Sequence, residues 1–360
     1  MASASPAVSR CTLSNKAHRY RNLSALLSIL DRYFSWPLPP GPSIEIAIPS
    51  KVSKAPGSIQ LYFFTAPSNP LSPRKQTKPS PPRPVLINFH GGGFTIGHAL
   101  DDARWAGAVL KAYPDAVVVS INYRLAPEHP FPVALEDGVD AILWLWQEAQ
   151  KYNLDRTRFT ISGSSAGGNL ALGVPFRLRE ELQKNRWASS WASIRGELAL
   201  AGLVVFYPST DWTRTRIERN ATNPIAAEKS MISLSLFKFF DDSYLLPAGL
   251  PKRPGTDRVD MSHPYLSPGL APASLLYEAY PPSVAIYTCG WDQLLVEGNT
   301  FREKLGRFVE EGKMASVGGY VVEDIVHGFD KKPSFFKGNE VREKMYGDAV
   351  NQLKVIWKVD

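Results

Sequence analysis

A chain of 360 residues, 44% hydrophobic and 21% charged, is long for one average domain and able to bury a sizeable core. The formal charge of +7 and pI near 9.2 come from scattered basic residues; the densest group, 74–83, is proline-rich without interleaved aromatics, which argues against a nucleic-acid surface and for a linker over 66–84. Cys11 and Cys289 build neither a disulfide framework nor a metal cage, and no apolar run approaches the ~20 residues that span a bilayer.

Arg10, Lys16, Arg19 and Arg21 precede the first acid, Asp31, in a serine-rich setting that loosely matches a transit peptide, and 23–30 loosely matches a short signal core. Helix spacing of Leu23, Leu26, Leu27, Leu30 and Phe34 favours the competing reading, an amphipathic helix over 22–34 in a cytoplasmic chain. Apolar runs rich in β-branched residues predict strands over 44–48, 59–64, 85–89, 116–121, 159–162, 198–206, 284–288 and 320–322. Helical periodicity predicts 103–112, 133–150, 168–183, 300–311 and 341–357. Alternation of strand and helix beyond residue 84 implies an α/β fold: a mostly parallel sheet with helices on both faces and right-handed crossovers, its first two strands antiparallel at an edge. The alternation stops over 207–282, which reads as an insertion, and Phe237, Phe239 and Phe240 there either line a pocket or hold the insertion to the core. Cys289, near the end of a predicted strand, reads as a small core residue.

Gly163-Ser164-Ser165-Ala166-Gly167 stands between the β-branched run 158–162 and a helix-forming stretch. This is the sequence form of a nucleophile elbow, a strained strand-to-helix turn that tolerates only small residues two before and two after its serine. Upstream, His90-Gly91-Gly92-Gly93-Phe94 follows the strand 84–89. Consecutive glycines can turn backbone N–H groups toward a developing oxyanion, so Gly92, Gly93 and the residue after the nucleophile, Ala166, are the candidate donors. A serine nucleophile needs a base oriented by an acid, and in α/β-hydrolases these follow in the order Ser, acid, His. Only His263 and His327 lie beyond Ser165; His263 opens a proline-rich loop, whereas Asp292 ends a strand-like run and leaves His327 as the histidine after it. Asp324 is too close to His327 along the chain, and Glu297, on the next helix, reads as a cap or brace for the loop after Asp292.

As a set, these motifs resemble the hormone-sensitive-lipase-like carboxylesterases with an HGGG loop, joined by Tyr123-Arg124-Leu125-Ala126-Pro127-Glu128 with Phe131-Pro132, and by His327-Gly328-Phe329. The resemblance covers about residues 85–330 and implies an α/β-hydrolase fold. Residues 43–206 and 283–360 would form the core, covered by a helical lid from 1–42 and the insertion 207–282. It implies ester hydrolysis of short-to-medium acyl esters by Ser165, His327 and Asp292, with neither metal nor organic cofactor. The partner would be a small-molecule ester, with no nucleic acid, no stable membrane span and no oligomeric state specified. One position departs: Ser164 stands where the family usually has Asp, which affects substrate preference and rate. Acyl transfer or lactone opening on a natural product remains an alternative on the same site. A gibberellin-receptor-like binder is the other, although such receptors lost the histidine that this chain keeps as His327.

Overall fold

The computed structural model describes residues 9–35, 37–71, 81–184, 198–230, 232–246, 250–254, 259–333 and 338–359. Residues 72–80 of the stretch read as a linker therefore lie outside the described residues. Strands β1 (Ile44–Pro49), β2 (Ser58–Phe64), β3 (Arg83–Phe89), β4 (Val117–Asn122), β5 (Leu154–Ser164), β6 (Leu200–Phe206), β7 (Ser283–Trp291) and β8 (Ser316–Gly318) form a sheet in the order β1-β2-β4-β3-β5-β6-β7-β8. The β1–β2 and β2–β4 pairs are antiparallel and the others parallel, as the alternation implies. Beyond β8, β9 (Val321–Val326) also pairs with β7. The two pieces are split at Gly319, whose φ of +88° and contact with Ile286 O, 2.1 Å from where a Cβ would stand, admit no side chain.

The α-helices among the described residues are α1 (Arg10–Phe34), α2 (Ala103–Ala112), α3 (Val133–Gln147), α4 (Ala149–Tyr152), α5 (Ala166–Gln183), α6 (Arg216–Thr222), α7 (Pro224–Lys229), α8 (Leu234–Tyr244), α9 (Ala273–Ala279), α10 (Leu295–Glu310) and α11 (Glu340–Trp357). Strands β3 and β4 are apolar on both faces because both are covered. Ile87 and Val119 share one core with Leu135 of α3, Leu170 of α5 and Leu305 of α10; Leu86 and Val118 share the other with Val109 of α2 and Leu353 of α11. Cys289 is fully buried in the second of these cores, and burial pushes its thiol well up, away from the thiolate.

Helix α1 begins well before the expected 22 because Ser9 caps it, accepting the Thr12 N–H, and because Leu13 and Ala17 bury against Phe237, Phe239 and Phe240 of α8. Its carboxyl-terminal half reverses the face that the leucine spacing suggests: Leu23, Leu26, Leu27 and Phe34 are exposed. The side chains turned to the core are polar. No helix among the described residues is long and apolar enough to cross a membrane.

Candidate active site

Central position and register place the functional loops together. Phe89, Gly163 and Val205 are level across β3, β5 and β6, and Phe206 is level with Tyr287 of β7, so the loops after these strands leave the same edge of the sheet. Ser165, directly after β5, has φ 55° and ψ −117°, a conformation rare for a residue with a side chain. Its neighbours explain how the turn fits: a Cβ on Gly163 would stand 2.2 Å from Gly167 O, and one on Gly167 2.1 Å from Phe89 O. The Ser165 N–H donates to Phe206 O at 2.9 Å, and Asn169 N–H donates to Ser165 O at 3.0 Å, pinning the turn from both sides. Ala166 opens α5, where the first N–H groups have no partner within the helix. That helix starts two residues before the expected 168, directly at the elbow.

His327, Asp292 and Ser165 meet although they come from different loops. Ser165 Oγ lies 2.8 Å from His327 Nε2, and His327 Nδ1 lies 2.6 Å from Asp292 Oδ2. The other Asp292 oxygen accepts the Leu294 N–H at 3.0 Å, and the residue is only 3% exposed. Asn223, at the junction of α6 and α7, donates to Gly290 O and Asp292 O, each at 2.9 Å. The insertion thereby fixes the backbone that carries the carboxylate. The edge of Tyr207 packs on the His327 ring, 4.8 Å between centroids, and its hydroxyl donates to buried Asp330, which also accepts from Tyr346 at 2.6 Å.

The rejected candidates stand elsewhere. His263 accepts the Tyr265 N–H at 3.3 Å, and burial pushes its pKa down. Asp324 is exposed on β9. Glu297 is a brace, but for a different segment from the one expected. It accepts the Thr210 N–H at 2.8 Å and pairs with buried Arg219 of α6 at 2.7 Å, so it holds 209–211 and the insertion rather than the turn after Asp292. Burial raises its pKa, with Arg219 opposing.

In the glycine loop, Gly92 has φ +110° and Gly93 φ +58°. Added Cβ atoms would stand 2.2 Å from Ile96 O and 2.4 Å from the Phe240 ring. The turn is closed by the Thr95 and Ile96 N–H groups on Gly92 O, at 3.1 and 3.0 Å. His90 is buried and stacked on Tyr123, with 4.2 Å between centroids; its Nδ1 lies 2.7 Å from Gly91 O, and the Tyr123 hydroxyl donates to His90 O at 2.8 Å. Burial pushes the His90 pKa down, which favours the neutral ring. Gly92, Gly93, Ala166, Ser165 and His327 all line one cavity of about 530 Å³. Its outer wall comes from Leu27 of α1 and from Trp212, Leu236, Phe237 and Phe240 of the insertion. Phe237 and Phe240 are thus pocket residues, while Phe239 anchors α8 against Tyr20, 5.4 Å away. Ser164, at the position where the resemblance leads one to expect Asp, is buried and its hydroxyl has no hydrogen-bond partner among the described residues.

A family model described as the alpha/beta hydrolase fold matches residues 86–331. Esterase LipI of Mycobacterium tuberculosis is 33% identical over 175 residues, 47% of this chain and 50% of LipI. Carboxylesterase NlhH of the same organism is 30% identical over 224 residues, 62% of this chain and 60% of NlhH. The chain thus matches between a half and two thirds of the length of these relatives. A solved ester-hydrolase from the metagenome of Lake Arreo, complexed with a derivative of bipyridine phosphonate, superposes with a TM-score of 0.70 at 24% identity, covering 96% of this chain and 93% of that one. Matched by the family model over more than half its length, the chain belongs to the hormone-sensitive-lipase-like group of the α/β-hydrolases.

Proposed function

We propose that the protein is a serine carboxylesterase acting on short-to-medium acyl esters of small molecules, with Ser165 as nucleophile, His327 as base and Asp292 as its orienting acid. The observation that carries this reading is the continuous run of contacts from Ser165 Oγ to His327 Nε2 and from His327 Nδ1 to Asp292 Oδ2, at 2.8 and 2.6 Å. Asp292 selects the tautomer that leaves Nε2 free to take the Ser165 proton as Oγ attacks the ester carbonyl. The N–H groups of Gly92, Gly93 and Ala166 then hold the oxyanion, His327 protonates the leaving alcohol, and water releases the acyl group by the reverse path. A cavity of about 530 Å³ lies within the range of small-molecule sites, roughly 300–1,000 Å³. In this reading α1, within residues 1–42, and the insertion 207–282 act as the lid of a core formed by 43–206 and 283–360.

Ser165→Ala is the direct test. Turnover of p-nitrophenyl acetate and butyrate is expected to fall about a millionfold, as for other triad serines, with the thermal transition unchanged. Hydrolysis persisting at a tenth of the parent rate in a folded variant would refute the assignment.

A further inference from the structure

Helix α1 carries its apolar stripe outward. At about 100° per residue, positions 23, 26, 27, 29, 30, 33 and 34 share one half of the helix circumference. Leu26 is 53% and Phe34 65% exposed, and Leu23, Leu27, Ile29 and Tyr33 are exposed as well. The opposite half is tied down by polar contacts. Arg21 donates to Thr95 O at 2.8 Å and Ala126 O at 2.7 Å and pairs with Glu128 at 2.7 Å; Ser28 donates to Asp101 at 2.5 Å; Asp31 pairs with Arg104 at 2.7 Å. These contacts fix the rotation of the helix, so the leucines cannot turn inward without breaking them.

The outward half holds two cations, Lys16 and Arg19, and no acid; Asp31, the acid of this helix, faces inward to Arg104. Leu27 belongs to the stripe and also lines the active-site cavity, so the apolar surface runs from the helix to the cavity mouth. A patch of this kind is uncommon on a protein surface without an occupant. A second copy of the chain is a poor one, because a two-fold contact sets this cationic face against itself with no acid to pair.

We propose that α1 docks the protein on an anionic lipid surface. The stripe enters the acyl boundary, Lys16 and Arg19 meet headgroup phosphates, and the cavity mouth opens onto esters carried in that phase. This is surface binding and involves no membrane span.

The test is flotation of the full chain with phosphatidylcholine vesicles, with and without phosphatidylserine. Partition is expected to require phosphatidylserine and to weaken with salt. Leu26→Asp and Phe34→Asp are each expected to lower it by about tenfold, and Arg19→Glu to lower it without removing any apolar group. All three variants should keep the parent rate on water-soluble p-nitrophenyl acetate, which shows that they fold. Absence of phosphatidylserine-dependent partition, or equal partition of parent and variants, would overturn the proposal. So would a parent that sediments as a dimer and is made monomeric by Leu26→Asp. Vesicle binding is read without turnover, so failure here is distinguishable from failure of the hydrolase reading.

Discussion

Behind the His327 ring, Lys331 is one cation between two buried carboxylates. Its Nζ lies 2.5 Å from Asp102 and 2.8 Å from Asp330. Burial alone would push the ammonium pKa down; Asp102 and Asp330 outweigh it and hold the group well above the ordinary lysine range. Lys331→Met keeps most of the stem and removes the charge. It leaves Asp102 with the Asn88 amide at 2.8 Å and Asp330 with the Tyr207 and Tyr346 hydroxyls, neutral donors only. Breaking one side of a buried pair costs about 3–5 kcal/mol. A quarter of the Lys331 side chain is exposed, 25%, so the expected loss is the low end, about 3 kcal/mol. In a chain of this size that lowers Tm by about 5 °C or somewhat more. Calorimetry and urea unfolding measure it. Adding Asp102→Asn to Lys331→Met should return about 1–2 kcal/mol, since one of the two carboxylates left without a cation is then neutral. A Lys331→Met protein that unfolds within about 0.5 kcal/mol of the parent, the range of ordinary surface changes, would refute the electrostatic account of this cluster.

Two further predictions concern the same neighbourhood. Asn223→Ala leaves Gly290 O and Asp292 O without their shared donor, and the loosened loop should lower kcat by roughly ten- to a hundredfold while KM changes little; steady-state kinetics near parent values would show that the insertion does not position Asp292. For acid stability, burial pushes the Asp330 pKa up, but Lys331 and the two tyrosine hydroxyls outweigh it and hold the carboxyl below its ordinary value. A depressed folded pKa stabilises the fold above the unfolded carboxylate range, and that stability is lost as pH falls through the folded value. Asp330→Asn should therefore flatten the decline of unfolding free energy between neutral and acid pH, and a slope equal to the parent's would exclude Asp330 as a contributor.

What could be read from the sequence divides along a physical line. The elbow and the glycine loop were legible because their demands are local: Gly163 and Gly167 leave no room for a Cβ, and Gly92 and Gly93 stand at positive φ. The core strands were legible because burial on both faces makes them continuous apolar runs. The pairing of Asp292 with His327 followed from chain order, which the parallel sheet converts into proximity. Asn223, the Arg219–Glu297 pair and the Lys331 cluster follow no such rule. Each joins segments distant in sequence, in the last case Lys331 and Asp330 to Asp102 and Tyr207, through residue types that are usually solvated, so nothing in their spacing marks them.

Helix α1 shows how periodicity can be right about an element and wrong about its orientation. The spacing of Leu23, Leu26, Leu27, Leu30 and Phe34 reports a helix with one apolar side, but it carries no information about which neighbour that side meets. The neighbouring surface here offers backbone carbonyls, at Thr95 and Ala126, and charged side chains, at Glu128, Asp101 and Arg104. Packing leucines there would have stripped these groups of partners, at a cost of about 1–3 kcal/mol for each one left buried and unsatisfied. Arg21, Ser28 and Asp31 satisfy them instead. The polar requirement of the surface beneath therefore sets the rotation of the helix, and the leucines face outward beside the cavity mouth as a consequence.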